Sequence, residues 1–548
     1  MTSSVSAVHS GVMLSKDGSG RSLTPELEDG IKVEHVVSHT GTIGGEVGTI
    51  KAISVDGSHF LIPTPTDDPN DPLNWSKSYK WFVTSVSCLQ VFVGTMIAAG
   101  PASALLDMAG TYRKDIQTTS YLITVYALLM GFGLLFWAPL IAKFGPRLSY
   151  VVSSTLVFVF TIWLALAKTY SSAMAARVLS ALAVSASEGL APVTIADIWF
   201  LHERGLPLGL FAGALSIGTA VGAVLVGAID YHTHTFRNAY WLFAGISGLS
   251  FFCVVFFFPD TKFKREAMPM KRASEPRNID YSQKHGFLSR QSLSLWKGSL
   301  TQESYFKLLV RPIGCWTLPG VAWGSLVYAG TIGFVVALST NLAAAFMPPP
   351  YLFNVQEVGF IGFSGIVGTV LATGLGGNTV DWIANLLTRR NGGLREPEMR
   401  IPAILVPLVL APLGLVLYGA GTQNHWHHMV PIVGNGMVVF AGVWATNVAF
   451  AYVVDCYKPI AAEAVSGMMS LKSVLGFIIS FYTNTWVAHE GPLNAFGEMA
   501  GVSAFCLGLG VVFFLFGKQL RQNANKSRAL AFLRWNDDRD DLVLDSAH

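Results

Sequence analysis

Three charged residues, Arg177, Glu188 and Lys472, stand inside long apolar stretches of this 548-residue chain. A charge at the centre of a bilayer-spanning helix costs at least about 2.5–3.5 kcal/mol, so each of them needs a reason for its position. Arg177 and Glu188 are eleven residues apart (188 − 177). That spacing turns a helix by about 1,100° and puts both side chains on one face, about 16 Å apart along the axis. The distance excludes a direct ion pair between them.

Two interpretations of these charges stay open. In the structural one, each charge pairs with another helix, or Lys472 extends its ammonium group to the membrane surface. In the functional one, Arg177 binds a solute or modulates a proton site, Glu188 takes up and releases a proton, and Lys472 binds an anionic group or repels cations. Other polar side chains in apolar stretches either share such a cavity or form hydrogen bonds between helices: Gln90, Asn435, Asn447 and Asn484.

The elements that must position these residues are twelve apolar stretches between residues 81 and 517, each of about 20 residues. A helix rises about 1.5 Å per residue, so each stretch can cross a hydrocarbon core about 30 Å thick. The chain is 51% hydrophobic and 13% charged, whereas soluble chains are about 25% charged. The pattern predicts an all-α membrane protein with twelve transmembrane helices, six on each side of a basic, polar loop.

Several classes of function are disfavoured by what the sequence lacks. The net charge is +3 and the basic residues are concentrated in particular loops, so we expect no nucleic-acid partner. No nucleophilic triad, phosphate-binding glycine loop or metal-ligand cluster is visible, which predicts a protein that is not an enzyme and has neither cofactor nor metal. The densest histidine group, at residues 425–428, has no carboxylate or cysteine beside it.

Loop charges predict the orientation of the chain in the membrane. Basic residues are frequent in alternate loops, above all in the stretch 260–311, and rare in the loops between them. The positive-inside rule therefore places both termini in the cytosol. The predicted organisation is a disordered cytosolic tail at 1–79, a six-helix bundle at 80–259, a cytosolic loop at 260–311, a second six-helix bundle at 312–517 and a cytosolic tail at 518–548.

Four motifs, in the same order along the chain, resemble those of a known transporter family. The sequence DPLNW stands at 71–75, just before the first span, and residues 177–205 cover most of the fourth span and the loop after it. FPDT at 258–261 follows the sixth span, and RNGG at 390–393 opens the loop between the eighth and ninth. Together they are similar to fungal-type major facilitator superfamily transporters of the twelve-span drug:proton antiporter-like group.

The resemblance implies two six-helix bundles around a central cavity that alternates between inward-facing and outward-facing states. This chain departs from the family pattern at two places. The loop between spans two and three has Ala142 where the family has an acid, and the fifth span has Thr219 where the antiporter motif has proline. The acid of the corresponding loop in the second half is kept as Asp381, and we expect it to pair with Arg389 or Arg390.

Charged residues also stand at the inner ends of the fourth and tenth spans, at corresponding positions in the two halves. Asp197 ends the fourth span and is followed by Glu203 and Arg204, while Asp455 ends the tenth. With Asp381 and its arginines, these residues are expected to form inner-gate charge networks that break when the cavity opens to the cytosol. Plain solvation at the membrane surface is the alternative.

These features give three hypotheses for function. Because no nucleotide-binding motif is present, an ion gradient, most simply of protons, must supply the energy. The leading hypothesis is a proton-coupled exporter of small organic molecules, such as drugs or secondary metabolites, acting as a monomer in the lipid bilayer of the plasma membrane. The alternatives are a proton-coupled importer of cationic nutrients such as polyamines, and a transport-inactive nutrient receptor.

Overall fold

The computed structural model describes residues 50–51, 65–200, 203–263, 304–457 and 460–526, and most of these residues are helical. The first six long helices are α1 (Lys77–Ala99), α2 (Ile116–Phe144), α3 (Pro146–Leu166), α4 (Tyr170–Ile198), α5 (Gly205–Thr233) and α6 (Arg237–Phe257). The second six are α7 (Pro319–Phe346), α8 (Gly362–Arg390), α9 (Leu405–Gln423), α10 (Met429–Cys456), α11 (Ala461–Glu490) and α12 (Pro492–Lys526). Short helices at Leu105–Tyr112, Tyr305–Gly314 and Val355–Phe360 lie between them.

Twelve helices in the described part of the chain are long and apolar enough to cross a membrane, six in each half. This confirms the predicted all-α, twelve-span architecture. Below, the inner end of the molecule means the end at which α1 begins and α12 ends, and the outer end means the opposite one. By the charge argument above, the inner end is the one expected to face the cytosol.

Burial sorts the helices by position in the same way in both halves. The apolar windows of α1, α4, α7 and α10 are 67%, 78%, 72% and 89% buried, while those of α3, α6, α9 and α12 are only 44%, 33%, 44% and 33% buried. The first and fourth helices of each half are therefore the most buried and lie at the centre, whereas the second helix of each half, at 39%, is as exposed as the third and sixth. This repeat is the pattern expected of two structurally related halves.

The most extensive contacts between the halves are those of α5 with α8 and of α2 with α11, and α5 also meets α10. At the inner side Phe211 of α5 meets Phe450 of α10 edge to face, with ring centroids 5.4 Å apart. At the outer side Tyr121 of α2 stacks on Phe481 of α11, with centroids 5.7 Å apart. Because the bundles touch at both ends, the structure is an occluded conformation.

Local capping explains where several helices start. Asp115 accepts a hydrogen bond from the Thr118 backbone N–H (2.9 Å) at the start of α2, and proline opens α3, α7 and α12 at its favoured first helical position. Before α1, the DPLNW motif forms a compact turn in which Asp71 accepts from the N–H groups of Leu73 and Thr66. Lys80 of α1 donates to the Leu73 carbonyl (2.9 Å). The motif thus fixes the start of the first helix.

Arg177 acts as an anchor between three helices of the first half. Its guanidinium donates to the carbonyls of Ile97 (2.6 Å) and Ala98 (2.8 Å) near the end of α1, and to the carbonyl of Leu122 (2.9 Å) in α2. The last carbonyls of a helix lack intrahelical partners, and a cation is favourable there. The guanidinium also lies 4.2 Å over the ring of Tyr126. These contacts give Arg177 a structural role, without the ion pair that we considered from sequence.

The predicted domain boundaries need three corrections. The last helix continues to Lys526, past the boundary placed at 517, and the helix Tyr305–Gly314 occupies part of the stretch 260–311 that was expected to be loop. In the tail predicted to be disordered, Ile50–Lys51 pairs antiparallel with Leu394–Arg395 of the loop before α9. Residues 71–75 form the turn described above, and α1 already begins at Lys77. The remainder of both tails lies outside the described residues.

Replacing Arg177 by methionine should destabilise the first bundle, because the two carbonyls at the end of α1 lose their donor. Each buried unsatisfied polar group costs about 1–3 kcal/mol, so we expect a loss of at least about 2 kcal/mol in the free energy of unfolding. Thermal unfolding of the purified protein in detergent measures the loss. Arg177→Lys is the matched control, since it keeps the charge but loses the fork of donors; a methionine variant as stable as wild type would contradict the anchoring role.

Candidate functional site

A buried ion pair joins the two bundles through their central region. Lys472 Nζ of α11 lies 3.4 Å from Glu188 Oε1 of α4, and the two side chains are 9% and 2% exposed. The structure therefore brings together two of the three charges that the sequence placed in the membrane. Their attraction is strong in a low-dielectric interior, although much of it only offsets the cost of removing both charges from water.

The close approach of α2 and α11 lets these two side chains meet. Gly131 of α2 faces α11, and a Cβ at this position would overlap Ser473 Cβ. Ser473 follows Lys472 directly in sequence, so a side chain at residue 131 would push the ammonium group away from α4. A glycine here serves close helix packing, as small residues do at helix contacts in membranes.

Aromatic rings complete the surroundings of the pair. The Lys472 ammonium lies 4.9 Å from the centroid of the Tyr328 ring of α7, a distance at which the negative face of the ring attracts a cation. Tyr328 is buried, and its ring is held edge to face against Phe450. Glu188 Oε2 has no hydrogen-bond partner among the described residues. One carboxylate oxygen at the centre of the molecule is therefore available to another donor.

None of the four amides predicted to share a cavity with the charges is hydrogen-bonded to the Glu188–Lys472 pair in the described residues. Gln90 donates to the Ser250 carbonyl (3.2 Å), linking α1 to α6, and Asn435 donates to Ser364 Oγ (2.9 Å), linking α10 to α8. Asn484 accepts from Asn341 (3.2 Å), linking α11 to α7. These three are bridges within one bundle. Asn447 of α10 lies against α5 with its Oδ1 lacking a hydrogen-bond partner.

A small cavity lies between the bundles in the outer half of the molecule. It has a volume of about 50 Å³ and is lined by small and hydroxylated side chains such as Ser216, Thr219 and Ser339, with Asn435 at its wall. Sites for drug-sized molecules have volumes of about 300–1,000 Å³. This cavity is therefore too small to hold a substrate of that size in the conformation described.

At the inner end, Arg400 holds two carboxylates of the second bundle. Its Nη1 lies 2.8 Å from Asp381 Oδ1 of α8, and its Nε lies 2.8 Å from Asp455 Oδ2 of α10. The guanidinium is 1% exposed. Asp381 thus pairs with Arg400, and our expectation that it pairs with Arg389 or Arg390 was wrong. Both of those arginines are exposed in the last turn of α8.

Arg395 adds a further buried cation to this cluster. Its Nη1 donates to Asn385 Oδ1 (3.2 Å). The backbone of Arg395 pairs with Ile50 of the N-terminal strand. Burial, reinforced by the neighbouring Arg400 cation, lowers the pKa of Arg395 to about 10. The group stays protonated at neutral pH, so Arg395 and Arg400 together balance the charges of Asp381 and Asp455.

Asp381 also makes the contact between the bundles at this end. Its Oδ2 lies so close to Gly205, the first residue of α5, that a Cβ on Gly205 would overlap it. The N-terminus of a helix carries unpaired N–H groups and partial positive charge, which attract a carboxylate. The acid kept in the second half therefore meets a helix terminus of the first half.

The other predicted inner-gate residues lie around this contact. Arg204 caps the end of α4, donating to the carbonyls of Trp199 (2.9 Å) and Ala196. Glu203 forms an exposed ion pair with Lys77 (3.0 Å), a type worth little in stability. Asp197 is half-buried near the end of α4. Their roles in gating remain predictions.

Two residues that organise these sites were not singled out as site residues from sequence. Arg400 follows the RNGG motif in the segment before α9, but the two acids it joins lie 19 and 55 positions away. Tyr328 was one of several aromatic residues in apolar stretches, and nothing in its neighbours distinguishes it. Both acquire their roles only when helices distant in sequence pack together.

Replacing Arg400 by alanine should destabilise the inner end, because Asp381 and Asp455 would lose their shared counterion. Breaking a buried ion pair by removing one partner typically costs about 3–5 kcal/mol. Thermal unfolding in detergent measures the effect, and Arg400→Lys should recover only part of it because an ammonium lacks the planar fork. Adding Asp381→Asn and Asp455→Asn should restore stability; no recovery would refute the charge-based explanation.

Replacing Gly205 by alanine should open the inner end, because the new methyl group overlaps the Asp381 carboxylate. We expect a cysteine introduced at Thr373, which lies on α8 against α5, to react several times faster with a membrane-impermeant thiol reagent applied from the inner side. Gly209→Ala is the matched control, since the nearest atom to its Cβ, Asn447 Nδ2, is 3.5 Å away. Equal labelling in the two variants would refute the proposed contact.

Comparison with known proteins identifies the architecture. The profile of the Major Facilitator Superfamily matches residues 83–481. An uncharacterized MFS-type transporter of Schizosaccharomyces pombe, C1271.10c, is 24% identical over 516 residues, covering 85% of this chain and 89% of the relative. The probable drug/proton antiporter YHK8 of Saccharomyces cerevisiae is 23% identical over 483 residues, covering 85% and 90%.

A solved structure supports the same fold. The proton:xylose symporter XylE superposes with a TM-score of 0.57 at 13% identity, over 80% of this chain and 97% of XylE. At that identity the similarity shows the fold alone. The family match, the twelve spans and the two joined bundles lead to one conclusion: this chain is a multi-pass membrane transporter, not an enzyme, and it belongs to the Major Facilitator Superfamily.

Proposed function

We propose that the protein couples proton movement to the export of small organic molecules, such as drugs or secondary metabolites. It would act as a monomer in the plasma membrane, with both termini in the cytosol. The orientation rests on the basic residues of the alternate loops. A single chain contains both bundles, so no second copy is needed to form the central cavity.

One observation carries the proposal: the Glu188–Lys472 pair, buried between the bundles at 3.4 Å. A buried charge pair gives weak evidence for stability, since an apolar pair of similar volume is often at least as stable. Ionisable groups within membrane spans that face the interior of a bundle are characteristic of proton and substrate pathways. Because the pair joins α4 to α11, a change in its protonation alters an attraction between the two moving bodies.

Alternation between the two faces would then follow from the contacts at each end. The Asp381 contact with the start of α5 holds the inner side closed, and the α2–α11 ring stack holds the outer side closed. Binding of substrate or proton at the central pair changes the free energy of the occluded state relative to the open ones. A ligand shifts such an equilibrium only by its difference in affinity for the two states.

Export is favoured by a relative whose name describes it as a probable drug/proton antiporter. Import of a cationic nutrient such as a polyamine is the second candidate, favoured by Thr219. This residue stands in the antiporter motif where proline is expected, and its hydroxyl donates to the Ser216 carbonyl within a continuous α5 (2.7 Å). The same central pair could serve transport in either direction.

The direction of transport is tested by measuring how much of a compound cells accumulate. Cells that overexpress the protein should hold less of a transported compound than cells that lack it, and the difference should vanish when a protonophore collapses the proton gradient. A panel of toxic cations, azoles and polyamines provides the compounds. Higher accumulation on overexpression would overturn export in favour of import, and no difference for the whole panel would count against transport of these classes.

Replacing Glu188 by glutamine should abolish proton-coupled flux while leaving insertion into the membrane intact, because the amide keeps the shape but removes the charge. We expect the flux to fall at least about tenfold, because Lys472 loses its counterion and the central site loses its negative charge. Flux of a panel compound is measured in proteoliposomes under an imposed pH gradient. Glu188→Asp is the control, since it retains the carboxylate; unchanged flux in the glutamine variant would remove Glu188 from the mechanism.

A further inference from the structure

We propose that the transported substrates are organic cations, and that Lys472 is the group that gives up the exchanged proton. This inference rests on the proposed function and narrows it. It assigns the proton to the ammonium of α11, whereas the sequence pattern alone suggested Glu188 as the proton carrier.

The surroundings of Lys472 are those that bind an organic ammonium group. Its Nζ lies 3.4 Å from a carboxylate oxygen of Glu188 and 4.9 Å from the centroid of the Tyr328 ring. A carboxylate beside an aromatic face attracts alkylammonium and quaternary ammonium ions in general. The side chain of Lys472 thus occupies a site that a cationic substrate would fill. Glu188 Oε2, which has no hydrogen-bond partner in the described residues, provides a second acceptor.

Charge balance then decides which group must lose a proton. Without substrate, the carboxylate of Glu188 and the ammonium of Lys472 sum to zero. A substrate cation would add one positive charge to a buried site, which is costly in a membrane interior. If Lys472 releases its proton as the cation binds, Glu188 pairs with the substrate and the sum returns to zero. If Glu188 took up the proton instead, two cations would share the site with no anion.

Neighbouring groups add to this preference. The titratable side chains that face the pair from other helices are Tyr328 of α7 and Tyr126 of α2, both within electrostatic range of Glu188. The guanidinium of Arg177 lies 4.2 Å over the ring of Tyr126. Arg177 remains protonated in proteins, so a second fixed cation stands behind the site. A substrate cation would therefore enter a region that already contains the positive charges of Arg177 and Lys472.

The exchange is balanced in protons and charge. With the inner side open, a cation binds Glu188, the N–H bond of the Lys472 ammonium breaks, and the proton passes to the cytosol. With the outer side open, the cation leaves and the neutral amine takes a proton from outside. One cation leaves the cell for each proton that enters, and no net charge crosses the membrane.

Proton release on binding tests the assignment directly. The purified protein, in weakly buffered detergent solution, is titrated with permanent cations that have no proton of their own: 1-methyl-4-phenylpyridinium, tetraethylammonium and phenyltrimethylammonium. Charge balance predicts about one proton released per bound cation, read from a pH-sensitive dye, together with an increase in thermal stability. If none of the three cations stabilises the wild-type protein, the substrate class is wrong.

Variants at position 472 separate the two possible proton carriers. Lys472→Arg keeps the charge but cannot release a proton, so cation binding and exchange should fall at least about tenfold. Lys472→Met should bind the cations without releasing protons, and in proteoliposomes it should move them without proton exchange. If Lys472→Arg still exchanges cations for protons as wild type does, Glu188 or another group carries the proton. Thermal unfolding of each variant shows that it is folded.

A further measurement, with an organic anion, distinguishes failure of the cation assignment from failure of the proposed function. If the anion p-aminohippurate stabilises the protein and its flux depends on the pH gradient, coupled transport stands and the cation assignment fails. If neither cations nor the anion show flux that depends on the pH gradient, the proposed function fails as well. Imposing a membrane potential at equal pH on both sides should leave cation exchange unchanged, and a potential-driven flux in the wild type would contradict electroneutral exchange.

Discussion

The attraction between Glu188 and Lys472 is the interaction on which the rest of the molecule depends. Each residue alone would be an isolated charge at the centre of a membrane helix, with a cost of several kcal/mol. The pair is stable only while α4 and α11 stay close. This requires a residue without a side chain at position 131 of α2, because a Cβ there would overlap Ser473 of α11. The electrostatic requirement therefore constrains helix packing on both sides of the bundle interface.

The contacts at the inner end have a different character. Arg400 joins Asp381 and Asp455 within the second bundle and makes one rigid unit, while the contact across the interface is between one carboxylate and the start of α5. A strong pair inside a body and a weaker contact between bodies suit a gate that must open repeatedly. The position in the first half that holds Ala142 has no acid for an equivalent contact, so the two halves close the inner side by unequal means.

Hydrophobic length and loop charge were enough to predict the twelve helices, because each span must satisfy its backbone within itself. The site was predicted only in part. Glu188 and Lys472 were identified because charges are conspicuous in apolar segments, whereas their pairing depends on the packing of helices 284 positions apart. The anchoring contacts of Arg177 could not be predicted for the same reason: its partners are backbone carbonyls, which leave no trace in the pattern of side chains. Asp381 was paired with arginines nearby in sequence, when the spatial neighbour was Arg400.

A single ion pair at the centre of the molecule has a thermodynamic consequence for the cell. If one ammonium supplies one proton for each cation, the steepest gradient that the transporter can sustain equals the proton gradient itself. One unit of pH difference across the membrane is then worth about a tenfold ratio of substrate concentration, since about 1.4 kcal/mol corresponds to a factor of ten. Such a carrier would protect a cell in acidic surroundings, and the substrate gradient that it can sustain would vanish as the medium approaches the pH of the cytosol.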